Sequence, residues 1–142
     1  MNKKIKNGFT LFELLVSISI IGILIAIASF SYSAAQKKAR DARRMQDMDT
    51  FQKAAEQYYS LSSGSYPTVL SVAGFTFSGT QTLQSLPKDP KDPTQVYTCP
   101  TLVAASYCCC ALLDGGASSG NSGAACGGFG TPGGYYCVKS QQ

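Results

Sequence analysis

The chain has 142 residues, with 12 Lys and Arg against 8 Asp and Glu, no His and no Trp. This length allows one domain, and charged residues at 14% are too sparse for the strong basic field of a general nucleic-acid surface. All six Cys lie in the last third. That placement suggests disulfides in an oxidising compartment, and without His there is no imidazole to activate a Cys nucleophile.

Residues 9–30, FTLFELLVSISIIGILIAIASF, are apolar except for the charge of Glu13, and as a helix they would span roughly 33 Å, enough to cross a bilayer. Lys3, Lys4 and Lys6 precede this run and predict a cytoplasmic N-terminus with everything after about Phe30 outside. Ser31 to Leu61 has no Pro or Gly and is rich in helix formers, so one helix of about 50 residues is expected. In its outer half Ala35, Ala39, Ala42, Met45, Met48, Phe51, Ala55 and Tyr58 recur at steps of three and four, an apolar stripe that should carry a globular head. Lys37 with Asp41 and Arg43 with Asp47 are spaced as solvent-side ion pairs.

Gly64 and Pro67 end the helix. Residues 65–93 read as an ordered surface loop closing in LPKDPKDP, whose prolines exclude helix and central strand. Residues 96–102 and 106–114 suit an antiparallel strand pair. Residues 114–134 are rich in Gly, Ser and Ala and form a long loop unable to build its own core. The final GYYCVKS offers a third strand, with Tyr135 and Cys137 on one face and Tyr136 and Val138 on the other. The fold class expected is α+β: a long N-terminal helix, membrane-spanning first and amphipathic second, packed on a small antiparallel sheet with a disulfide-bonded C-terminal region.

The run Lys6-Asn7-Gly8-Phe9-Thr10-Leu11-Phe12-Glu13 resembles the leader signal of type IV pilins and type II secretion pseudopilins. The resemblance implies cleavage after Gly8 by a prepilin peptidase, methylation of the new N-terminal Phe9, and an assembly role for Glu13 with Phe9. It also implies a homo-oligomeric filament served by a membrane platform protein and an assembly ATPase. Gly22 and the Ala39 to Arg44 run extend the likeness through about 60 residues, while Leu86 to Pro90 followed by Tyr97 to Cys99 matches more weakly. Phe30 stands where many members carry a membrane-helix proline. The domain reading is a leader over 1–8, a membrane or filament-core helix over 9–30, its amphipathic half over 31–63 and a head over 64–142.

Residue chemistry supports the resemblance. Gly8 lets extended backbone approach a peptidase. Glu13 is a carboxylate inside an apolar helix, costly in a membrane, and calls for a partner such as a neighbour's Phe9 amine. Removing Lys3, Lys4 and Lys6 would lower the formal charge from +4 and leave a basic cluster at Lys37, Lys38, Arg40, Arg43 and Arg44, read as a solvated face near anionic headgroups rather than as a DNA site. Asp89 and Asp92 are too few oxygens for calcium and read as turn and surface residues. Cys108, Cys109 and Cys110 alternate faces in a strand and cannot all reach one metal ion. No cofactor, metal or catalytic residue is expected. Cys99 should join one of Cys108, Cys109 and Cys110, and Cys126 with Cys137 is the pair favoured for closing the Gly-rich loop. The rival readings are an ordinary secretory signal cleaved before Ala34, a tethered thiol enzyme, and an anchored adhesin or DNA-uptake receptor.

Overall fold

A computed structural model describes residues 8–69, 74–116 and 118–142. The leader reading of residues 1–7 lies outside these, as do parts of the predicted connecting loop (70–73) and Gly-rich loop (117). The chain divides into two compact units, residues 1–36 and 37–142.

In the first unit, helix α1 (Leu11–Leu61) starts on a reciprocal cap. The Thr10 hydroxyl accepts from the Glu13 amide (3.2 Å), and the Glu13 carboxylate accepts from the Thr10 amide (2.9 Å). Thr10-x-x-Glu13 is therefore a capping box. Residues 8–36 are exposed throughout. The hydroxyls of Ser17, Ser19 and Ser29 donate to the carbonyls of Glu13, Leu15 and Ile25 at 2.7–2.8 Å, so these polar groups need no outside partner in an apolar surrounding.

In the second unit, α1 buries Asp41, Arg44, Met48, Phe51, Ala54 and Ala55. The predicted stripe holds at Met48, Phe51 and Ala55, with Met45 and Tyr58 half-buried. It fails at Ala35, Ala39 and Ala42, which are exposed. Small apolar residues at helical spacing marked the wrong face there, because charged side chains occupy the buried positions. The helix ends with Ser63 and Gly64 at positive φ (60° and 92°), and the Gly64 amide donates to the Tyr59 carbonyl, a left-handed ending.

Strands β1 (Phe75–Phe77) and β2 (Thr80–Leu83) pair antiparallel. Ser78 and Gly79, both at positive φ, make the two-residue turn whose twist suits a hairpin. This corrects the expectation of an unpatterned loop over 65–93. Strands of three and four residues are too short to show a period of two.

Strands β3 (Thr98–Val103), β4 (Ser106–Leu112) and β5 (Tyr135–Lys139) form an antiparallel sheet in the order β3-β4-β5. One face carries Tyr107, Cys109, Ala111, Tyr136 and Val138 into the core with Met48, Phe51 and Ala55 of α1. Phe51 meets Phe75 and Tyr107 edge-on, with ring centroids 5.4 and 5.6 Å apart, a geometry in which the positive ring edge meets the negative face. The other face gathers Cys108, Cys110 and Cys137 with Cys126, Phe129 and Tyr135. The predicted split of Tyr135 and Cys137 from Tyr136 and Val138 matches this division.

Disulfides join Cys99 to Cys109, Cys108 to Cys126 and Cys110 to Cys137. The expected Cys126–Cys137 pair is overturned. Cys137 faces Cys110 directly across the β4–β5 ladder, so that contact forms within the sheet and Cys126 is left to the remaining sulfur on the same face.

The outer edges of this sheet are occupied or irregular. The Asn121 carboxamide donates to the Cys137 carbonyl (2.9 Å) and accepts from the Cys137 amide (2.8 Å), filling the place of a neighbouring strand. On β3 the register shifts between Thr98 and Thr101, around Pro100, which has no amide hydrogen. Gly133 passes so close to the Ser122 carbonyl that a side chain there would collide with it.

Candidate functional site: the N-terminal signal and its helix

Gly8, Phe9 and Thr10 precede α1 in non-helical backbone and are exposed. Among the described residues none comes within 4 Å of a Cβ at Gly8, and they leave the Gly8–Phe9 bond open. Glu13 is one turn along, its carboxylate engaged by the Thr10 amide and by the Thr10 hydroxyl (2.8 Å). Thr10 is the residue that sequence reasoning missed, although Thr-x-x-Glu before an apolar run was a legible signal. Within one chain Glu13 thus has a local partner in Thr10.

A second constellation lies in the head. Arg44 is fully buried, and its guanidinium donates to Asp89 (2.7 and 3.1 Å) and to Asp41 (2.8 Å). Asp41 also accepts from the amides of Asp114 and Gly115, and Asp114 pairs with Arg40 and Lys91 at 2.7 Å each. Burial works against charge on Arg44, but the Asp89 and Asp41 hydrogen bonds more than offset it and keep the guanidinium charged. Burial likewise pushes the Asp114 carboxyl up, and hydrogen bonds from Lys91 and Arg40 with the charge of Arg44 outweigh it, leaving it at about 2.

This network corrects three expectations. Arg44 is not part of a solvated face. Asp41 and Asp47 do not serve Lys37 and Arg43; Asp41 serves Arg44, and Asp47 accepts from the Tyr97 hydroxyl. Asp89 keeps its turn role, its carboxylate accepting from the Lys91 amide two residues on, but it is not a surface residue, being buried against Arg44. Asp92, by contrast, is exposed beside Lys88 (3.9 Å).

Between α1 and the 86–97 segment lies a cleft of about 170 Å³, lined chiefly by Met48, Phe51, Leu86, Val96 and Tyr97. The sulfurs of Cys108, Cys110 and Cys126 lie within 4.8 Å of one another. All three are in disulfides, whereas a metal requires thiolate.

An exposed apolar helix long enough to cross a membrane, capped at its start and followed by small antiparallel sheets with disulfides, is consistent with a pilin-like α+β fold. Residues 3–29 match the family described as the prokaryotic N-terminal methylation motif, the signal of type IV pilins and pseudopilins. No curated protein and no solved structure matches the chain. The motif supports a precursor of the pilin or pseudopilin kind, and with the apolar helix it fits a membrane-anchored protein.

Proposed function

We propose that this chain is a non-enzymatic structural subunit of a type IV pilus-like filament or secretion pseudopilus, cut after Gly8 by a prepilin peptidase and methylated on Phe9. The observation that carries it is the coincidence of the motif over residues 3–29 with an open Gly8–Phe9 bond and Glu13 on an exposed apolar helix. The disulfide-stapled head stays extracytoplasmic, and the apolar helix moves from the bilayer to a filament core. A platform protein and a cytoplasmic ATPase drive that transfer. In the seam between helices, Glu13 pairs with a neighbour's Phe9 amine and fixes the stagger, because apolar surfaces slide with little preference.

Capping and charge pairing at Glu13 separate by substitution. Glu13→Gln keeps the reciprocal cap, which accepts either residue, but removes the charge; Glu13→Ala removes both. We expect both variants to be inserted and cut after Gly8, and both to be missing from sheared filaments. Gly8→Val should stay uncut. Cleaved protein in membranes is compared with protein in filaments, and the mature N-terminus is read by mass spectrometry. Normal incorporation of Glu13→Gln would remove the charge role, and a mature start at Ala34 would sink the processing scheme. Abundant cleaved wild type in membranes with none in filaments would favour an anchored adhesin or DNA-uptake receptor.

A further inference from the structure

We propose that Lys37, Lys38 and Arg43 form a cationic collar that binds anionic phospholipid headgroups where α1 leaves the bilayer, which rests on residues 9–30 being the membrane anchor. The ion-pair network singles these three out. Of the five basic residues between 37 and 44, Arg44 is buried and Arg40 is paired with Asp114. Lys37, Lys38 and Arg43 are exposed and have no ion-pair partner among the described residues. The acids at helical spacing from them turn elsewhere, Asp41 to Arg44 and Asp47 to the Tyr97 hydroxyl, so neither holds these cations in an ion pair.

Their arrangement selects the partner. At ~100° per residue, Lys37, Lys38 and Arg43 point at roughly 0°, 100° and 240° around the helix axis. The charge is spread around the helix rather than lined along one face, which suits the field of a surrounding headgroup layer better than the single face a duplex would contact. Lys37 follows Phe30 by seven positions, about 10 Å of helix. Side chains lean toward the helix N-terminus, so the ammonium groups of Lys37 and Lys38 reach back toward a headgroup layer roughly 5–8 Å thick. Arg43 is about 9 Å further along and acts through the field rather than by contact, still near a Debye length of ~8–10 Å. Tyr32, exposed between the anchor and the collar, suits the interfacial position that aromatic residues favour.

The full chain, purified in mild detergent and mixed with equimolar phosphatidylglycerol and phosphatidylcholine, is assayed by native mass spectrometry for bound lipid. The wild type should prefer phosphatidylglycerol. Lys37→Gln with Lys38→Gln should lower that preference by about 5-fold per charge at low salt, and Arg43→Gln by less. Lys53→Gln, exposed further out on α1, should leave it unchanged. Leader lysines are common to every variant and cancel in the comparison. Retention of the preference by the double variant would overturn the proposal. So would an equal loss in Lys53→Gln, or loss of double-stranded DNA binding in place of phosphatidylglycerol binding. A chain that stays soluble without detergent would remove the anchor reading; a detergent-dependent chain blind to headgroups removes only the collar.

Discussion

Arg44 has no exposed side-chain surface, yet three aspartates from separate parts of the chain converge on it. Its loss strands charge in the interior. Arg44→Met leaves the Asp89 side chain, itself fully buried, without a counter-ion, and we expect a loss of about 3–5 kcal/mol in head stability. Adding Asp89→Asn should recover part of it, and a double-mutant cycle by denaturant unfolding reads the coupling. Acid tests the same network from the solvent side. The Asp114 carboxyl is held at about 2, below its ordinary 3.8, so its ionised form is favoured in the folded state. That contribution is complete above pH ~4 and fades as pH falls toward 2, by at most about 2 kcal/mol. Thermal unfolding across this window should show the slope, and Asp114→Asn should flatten it. Charge sequence alone could not reveal the network, because Asp89 and Asp114 stand far along the chain from Arg44, and Lys37–Asp41 and Arg43–Asp47 offered nearer partners at the i,i+4 spacing, though in the less favourable base-before-acid order.

Among elements, the helix was the most legible, since a 51-residue element leaves many positions for composition and breakers to speak. Strands β3, β4 and β5 could be read from Tyr, Cys, Val and Thr content, and alternation assigned the faces of β5. Hairpin β1–β2 escaped because its two strands are short and each buries only one residue outright, which leaves little pattern. The Cys triplet falls between these cases. Alternation separates Cys109 from Cys108 and Cys110, but which sulfur Cys126 meets depends on where the Gly-rich loop folds. Peptide mapping without reduction should find Cys99–Cys109, Cys108–Cys126 and Cys110–Cys137. Each closes a loop worth about 3 kcal/mol in the chain-entropy model. Paired serines replacing Cys110 and Cys137 should lower the unfolding midpoint while leaving the other two bridges intact.

At the scale of the whole molecule, the N-terminal segment carries the matched motif and the head carries none, so the two halves were legible for different reasons: one by signal, the other by pattern alone. The edges of the three-stranded sheet carry a consequence for crowding. A filament would hold many identical heads at high local concentration, the condition under which unpaired strand edges recruit one another into continuous sheets. Here the Asn121 carboxamide already occupies the amide and carbonyl of Cys137 on β5, and Pro100 interrupts the donor row of β3. Heads can then sit side by side without fusing. Asn121→Ala frees one donor and one acceptor on β5, and we expect the variant to remain folded and fully disulfide-bonded but to form sedimentable, β-rich aggregates with time. Light scattering with infrared spectroscopy follows this, and a variant as dispersed as the wild type would show that the edge is guarded by something other than that single side chain.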